Sequence, residues 1–247
     1  MHHFLMLAHQ LLLAFDILIR YTYGMINSIF ELTNAGFDGM QLVCYFLAYI
    51  IAILFALTFH EFAHAFIAYK NGDNTAKMLG RMTLNPFKHI DLLGAICFVF
   101  FGFGWAKPVP INPLKFRNYK RGLFWVSVAG VIANIIVALV SSFIAFWLSK
   151  ISHLNNFYFF LHQIFLSSTI LNLSLAVFNL LPIHPLDGFN AIAARAKYDN
   201  KFVNFMRQYG RIVLLIILLT GAFSFVYYYL VYGTIGGLNI LWGLMFG

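Results

Sequence analysis

Charge is scarce in this chain: Asp, Glu, Lys and Arg make up only 10% of its 247 residues, while 62% are hydrophobic. A soluble domain carries roughly a quarter charged residues, so this scarcity excludes an ordinary water-soluble fold and points to a membrane protein. No charge-rich or Pro/Ser-rich stretch is long enough to form a separate module and no internal repeat is present, so residues 1–247 read as one membrane-embedded domain. Cysteine is nearly absent too. Cys44 and Cys97 lie in apolar stretches without CxxC spacing, which argues against a disulfide framework or thiolate metal site and leaves packing. Met1 to Gln10 contain no Lys or Arg, and no clear small-residue cleavage site follows the apolar run from Phe4. That run is therefore expected to be a retained helix rather than a cleaved signal peptide.

Acidic residues are half as numerous as basic ones, 8 against 16, giving a net charge of +8. Such a balance can signal nucleic-acid binding. Here the basic residues alternate with long apolar runs, which is the pattern of topology signals, and no nucleic-acid partner is expected. Fourteen of the 16 Lys and Arg fall between Lys70 and Arg121 or between Arg195 and Arg211. The positive-inside rule places both regions on the cytoplasmic side of a cell membrane.

Crossing the hydrocarbon takes about 20 apolar residues in a helix. Four runs meet that requirement: Gln41 to Tyr69, Gly122 to Ser149, Asn156 to Leu181, and Ile212 to Tyr232. Two weaker segments are Phe4 to Ile19 and the tail Ile235 to Phe246, the latter too short to span alone. The expected fold is thus an all-α polytopic membrane protein, a bundle of about six membrane segments. The short run Leu92 to Trp105 and its Gly- and Pro-rich continuation to Pro113 read as a re-entrant hairpin or β element. Irregular backbone at that depth is tolerated only where protein or a water-filled cavity satisfies it.

Residues 60 to 64 read His-Glu-Phe-Ala-His within the first clear run. Positions i and i+4 share a helix face, so His60 and His64 can reach one Zn²⁺ while Glu61, about 100° around the helix, addresses a water on it. Ionisable groups in a membrane helix are expensive unless paired, and one zinc per chain would pair them. A catalytic zinc commonly takes three protein ligands. Asp187, just past the helix ending near Leu181 and on the same side by topology, is the outstanding third candidate. Pro182 and Pro185 break the helix ahead of it and let it turn inward. His184, three residues earlier, is a competing donor. A metal transporter or sensor would use the same ligands without needing Glu61, and a haem protein would use histidines as axial ligands.

The motifs HEFAH (60–64) and NLLPIHPLDG (179–188), together with SVAGVIAN (127–134) and GWAKPVPINP (104–113), resemble those of the site-2 protease family of intramembrane zinc metalloproteases. The resemblance covers about residues 41–211, the catalytic core. It implies His60, His64 and Asp187 as zinc ligands, Glu61 as catalytic base, and Asn134 beside the zinc, positioning substrate or stabilising the oxyanion. Val131 and His184 depart from the family pattern, each standing where many members have Pro. The implied activity is hydrolysis of peptide bonds within or beside transmembrane segments, in regulated intramembrane proteolysis, with the active site near the cytoplasmic side. The implied partners are the lipid bilayer and transmembrane protein substrates, either single-pass helices or signal-peptide remnants. A hairpin edge strand could hold such a substrate extended by β-augmentation. No PDZ or CBS module is recognisable, which leaves substrate filtering open to a regulatory membrane partner or a homo-oligomer.

Overall fold

The computed structural model describes Gly36 and residues 38–91, 107–197, 199–220 and 222–246. The expected first segment, Phe4 to Ile19, and most of the expected hairpin, 92–106, lie outside the described residues. Within them the chain is all-helical, with no strand. The helices are α1 (Gly39–Lys70), the single turn α2 (Thr75–Met78), α3 (Tyr119–Ser149), α4 (Asn156–Asn179), α5 (Asp187–Arg195), α6 (Lys201–Thr220) and α7 (Ala222–Phe246). Short 3-10 turns occupy Pro86–Lys88 and Pro113–Lys115.

Helix boundaries follow local chemistry. Asp38 caps α1 by accepting from Gln41 N–H at 2.8 Å, and the Gln41 side chain accepts in return from Asp38 N–H at 3.1 Å, a reciprocal capping box. Asn118 caps α3 through Arg121 N–H, and Asn155 caps α4 through the N–H groups of Phe157 and Tyr158. α1 ends at Lys70, whose charge suits the negative end of the helix dipole.

Four helices among the described residues are long and apolar enough to cross a membrane: Gly39–Lys70, Tyr119–Ser149, Asn156–Asn179 and Tyr227–Phe246. The first three match the sequence expectation closely. The fourth takes in the tail Ile235 to Phe246, the distal half of α7, and the run Ile212 to Tyr232 falls on α6 and α7, on either side of residue 221. α7 carries Gly233, Gly236 and Gly237. They lie inside the helix with open space where a side chain would be, a use of glycine common in membrane helices. The six-segment bundle is therefore not seen among the described residues. Of the β element, what is described is the base: Ile90 forms an isolated β bridge, and Lys107 N–H donates to His89 C=O at 2.7 Å.

α1, α3 and α4 form the body of the bundle, with α5 packed on α3 and α7 against α4 and α3. Ala48, Ala52 and Ala56 make a small-residue stripe down α1 that buries Tyr49 and Leu171 of α4 beside it. Small residues let membrane helices approach closely, and dispersion rather than hydrophobic transfer then holds them. Ala138, Leu173 and Val231 join α3, α4 and α7 in the same way. Polar pairs add direction: Ser141 and Ser168 hydroxyls meet at 3.0 Å between α3 and α4, and Ser174 meets Tyr227 at 2.7 Å between α4 and α7.

Candidate metal centre and active site

The HEFAH turn lies in the last third of α1. At about 1.5 Å per residue, His64 and His60 are about 9 and 15 Å along the axis from Lys70, beneath the basic end of the helix. Both rings are buried and face α3. Their Nε2 atoms lie 3.0 Å apart, and Asp187 Oδ2 is 3.1 Å from His64 Nε2 and 3.4 Å from His60 Nε2. Asp187 reaches them because the chain breaks after α4 and restarts as α5 with Asp187 as its first residue. Arg195, at the far end of α5, lies 3.7 Å over the Phe124 ring of α3 and ties the short helix down. Gly188 belongs to this turn through contact: a Cβ there would stand 2.3 Å from Leu180 O.

The second ring nitrogens are occupied. His64 Nδ1 donates to Val126 C=O at 2.7 Å, and His60 Nδ1 donates to the Asn134 amide oxygen at 3.3 Å. With those protons on Nδ1, both Nε2 atoms present lone pairs to each other and to a carboxylate oxygen that makes no hydrogen bond. Three acceptors converging in a buried place repel one another unless a cation lies between them. Their separations of 3.0, 3.1 and 3.4 Å match the edge of about 3.3 Å for a tetrahedron with metal–ligand distances near 2.0–2.1 Å. Among the described residues, His60, His64 and Asp187 form the group able to hold a metal ion.

Burial alone would raise the Asp187 carboxyl. The two imidazoles beside it, His64 first, outweigh burial and hold the group far below the usual carboxylate range. Asp187 is thus a carboxylate, the form a cation needs. Gly130 of α3 completes the cradle. A Cβ on it would lie 2.4 Å from His60 Cε1 and 2.6 Å from His64 Nε2, so only glycine lets α3 approach the two rings this closely.

Glu61 is not among the converging groups. Its Oε2 accepts the backbone N–H of Val109 at 2.8 Å, from the Lys-Pro-Val-Pro segment. Asn134 comes beside the site as expected, yet its fully buried amide turns its oxygen to His60, and its nitrogen has no partner. Its hydrogen-bond contact is with the His60 ring. His184 does not join the cluster. Its ring packs edge-on against Phe189 at 5.2 Å, and the backbone beside it meets Gly210 of α6. Burial and the charges of Arg211 and Arg207 push its pKa down. Sequence reading missed Val109, whose backbone donor has no side-chain signature, and Val126, whose carbonyl is equally silent. Gly130 had a signal: it stands four residues before Asn134, on the same helix face.

Among the described residues, fold and site define a helical membrane protein with a buried three-donor cation site on a HExxH helix. The chain is 41% identical over 189 residues to a Bacillus subtilis protein named "Putative zinc metalloprotease YwhC", covering 72% of this chain and 82% of that one. It is 28% identical over 207 residues to "Putative zinc metalloprotease Rip2" of Mycolicibacterium smegmatis, covering 76% of this chain and 72% of that one. No family model and no solved structure matches the chain. The chain belongs to the zinc metalloprotease family of these relatives, in agreement with the site-2 protease resemblance of its motifs.

Proposed function

We propose that this protein is an intramembrane zinc endopeptidase of the site-2 type, hydrolysing peptide bonds within or next to transmembrane segments of membrane proteins. The observation that carries this is the convergence of His60, His64 and Asp187 inside a bundle of membrane-spanning helices, with Glu61 on the same turn. One zinc per chain fits the donor set, and the relatives' names agree. When bound, zinc supplies Lewis-acid chemistry, lowering the pKa of water and polarising a peptide carbonyl.

The remaining work falls to the chain's own groups. Val126 C=O and Asn134 hold the two rings in the tautomer that turns Nε2 inward. Glu61, anchored through Oε2 on Val109 N–H, keeps Oε1 to take a proton from the attacking water and pass it to the leaving amine. The substrate helix must unwind first, because its peptide groups are internally hydrogen-bonded. The basic segments around Lys70–Arg121 and Arg195–Arg211 support an orientation with the site near the cytoplasmic face of the cell membrane. A shallow polar channel then suffices for water. Release of a cytoplasmic regulator from a membrane precursor, or clearance of signal-peptide remnants, is the role that suits such a site.

The test is metal content per chain in detergent-purified wild type and Asp187→Ala, with cleavage of a transmembrane reporter by wild type and Glu61→Gln. About one zinc in wild type, a large loss in Asp187→Ala, and an inactive Glu61→Gln that keeps its zinc are expected. Equal zinc with and without Asp187 removes that ligand. Cleavage surviving in Glu61→Gln removes the base and favours a metal-binding role without proteolysis.

A further inference from the structure

The segment Lys107–Asn112 is fastened at both ends by charged groups that the mechanism does not use. At its start, Arg81 Nη2 donates to Lys107 C=O at 2.5 Å and to Pro108 C=O at 3.3 Å. Arg81 is buried, and the Glu61 charge acts on it. Lys107 N–H is also tied to His89 C=O, and the buried His89 ring is held by Thr83 C=O at 2.9 Å. At the other end, the fully buried Asp73 accepts Asn112 N–H at 2.6 Å on one oxygen, and the amide and hydroxyl of Thr75 on the other. Lys115 Nζ donates to the same Thr75 hydroxyl at 3.0 Å. Gly72, at φ 109°, lets the turn before Asp73 come this near: a Cβ there would be 3.0 Å from Lys115 O.

Between these two anchors lies Pro108-Val109-Pro110. Proline has no N–H, so Val109 supplies the single backbone donor of the three, and that donor is the one on Glu61 Oε2. The Val109 side chain is buried with Ala65 and Ala76 against Met82, which makes the segment a built-in part of the core rather than a lid. Val109 N–H is thus aimed by the segment's two ends, and those ends are set by Arg81 and Asp73.

We propose that Arg81 and Asp73 are positioning residues for Glu61: they stretch Lys107–Asn112 as a strap whose one proline-flanked N–H orients the carboxylate. The proposal rests on the reading of Glu61 as catalytic base. Orientation of this kind acts on the chemical step. Losing an outer-shell partner of a metal site typically costs about 10- to 100-fold.

The test uses the full chain in detergent with a transmembrane reporter and measures kcat, KM, zinc per chain and amide hydrogen exchange over residues 107–116. Arg81→Met and Asp73→Asn are expected to lower kcat about 10- to 100-fold, with KM and zinc content unchanged and exchange in the strap accelerated. Arg81→Lys, which can still donate to one carbonyl, recovers most of the rate and the protection. Wild-type kcat in both variants overturns the proposal, and so does a loss that falls on KM, on zinc content, or without any change in strap exchange. Should Arg81→Met not yield folded protein, Arg81→Lys and Asp73→Asn are judged by the same readouts. Glu61→Gln run in parallel separates the two levels. If it cleaves normally, the base itself is wrong; if it is inactive while the strap variants are normal, only the strap falls.

Discussion

Gly130→Ala tests whether the site depends on the closeness of α3 to the two histidines. The added Cβ would stand 2.4 Å from His60 Cε1, 2.6 Å from His64 Nε2 and 2.7 Å from His60 Nδ1. Unstrained carbon contacts lie near 3.5–4.0 Å, so the rings or the helix must give way by about 1 Å. Neither ring is free to slide, because His64 Nδ1 is held by Val126 C=O and His60 Nδ1 by Asn134. Functional geometry tolerates only about 0.5 Å of misplacement, so zinc affinity should fall by at least the roughly 10- to 100-fold seen for lost outer-shell contacts. Global stability should change less, because Ala is favoured over Gly in a helix by about 1 kcal/mol, against overpacking of about 1–3 kcal/mol. Competition with a chelating zinc indicator gives the affinity, and thermal unfolding of the apoprotein gives the stability. Gly122→Ala is the control: its Cβ meets the Phe116 ring at 2.7 Å, away from the histidines. It should cost stability with zinc affinity intact. A Gly130→Ala protein that binds zinc and cleaves like wild type would refute the cradle.

Three further outcomes follow from the same geometry. Asn134→Ala removes the partner of His60 Nδ1 and should weaken zinc binding about 10- to 100-fold; lost cleavage with undiminished zinc affinity would instead support a substrate or oxyanion role for Asn134. Ser141→Ala breaks the hydroxyl pair with Ser168 and should cost about 0.6 kcal/mol in a reversible unfolding assay, the average for such membrane bonds. The Asp73 carboxyl is buried, which raises its pKa, but the bonds from Thr75 and Asn112 and the charge of Lys115 bring it below its ordinary value. A depressed folded pKa contributes stability above the unfolded value and loses it as pH falls through the folded one. The melting-point gap between wild type and Asp73→Asn should therefore be constant above about pH 4 and shrink below it; a gap that opens on acidification contradicts the assignment.

Much of this was legible in the residues. Three membrane helices and the HEFAH face follow from apolar runs and the i, i+4 rule, and Asp187 was marked out by the prolines before it. Other features were not. Arg81 counted only as one positive charge among the topology signals, although its buried guanidinium holds the strap that reaches Glu61. Asp73 stood in an unremarkable turn. Which end of the Asn134 amide meets His60 was not legible either, because an amide can turn either end to its neighbour and only the packed position of His60 decides which.

By itself, the sequence determined what depends on short range: a membrane-embedded helical chain, two imidazoles on one face, a carboxylate released at a broken helix end. These need only helix periodicity, transfer energies and the missing N–H of proline. The tertiary structure decided what depends on groups far apart in the chain. It brought Asp187 within 3.4 Å of both rings, spent Val126 C=O and Asn134 on their outer nitrogens, required glycine at position 130, and set a backbone amide on Glu61. The physical reason is that backbone donors and close helix contacts have no residue type of their own; they exist only once the elements carrying them are packed.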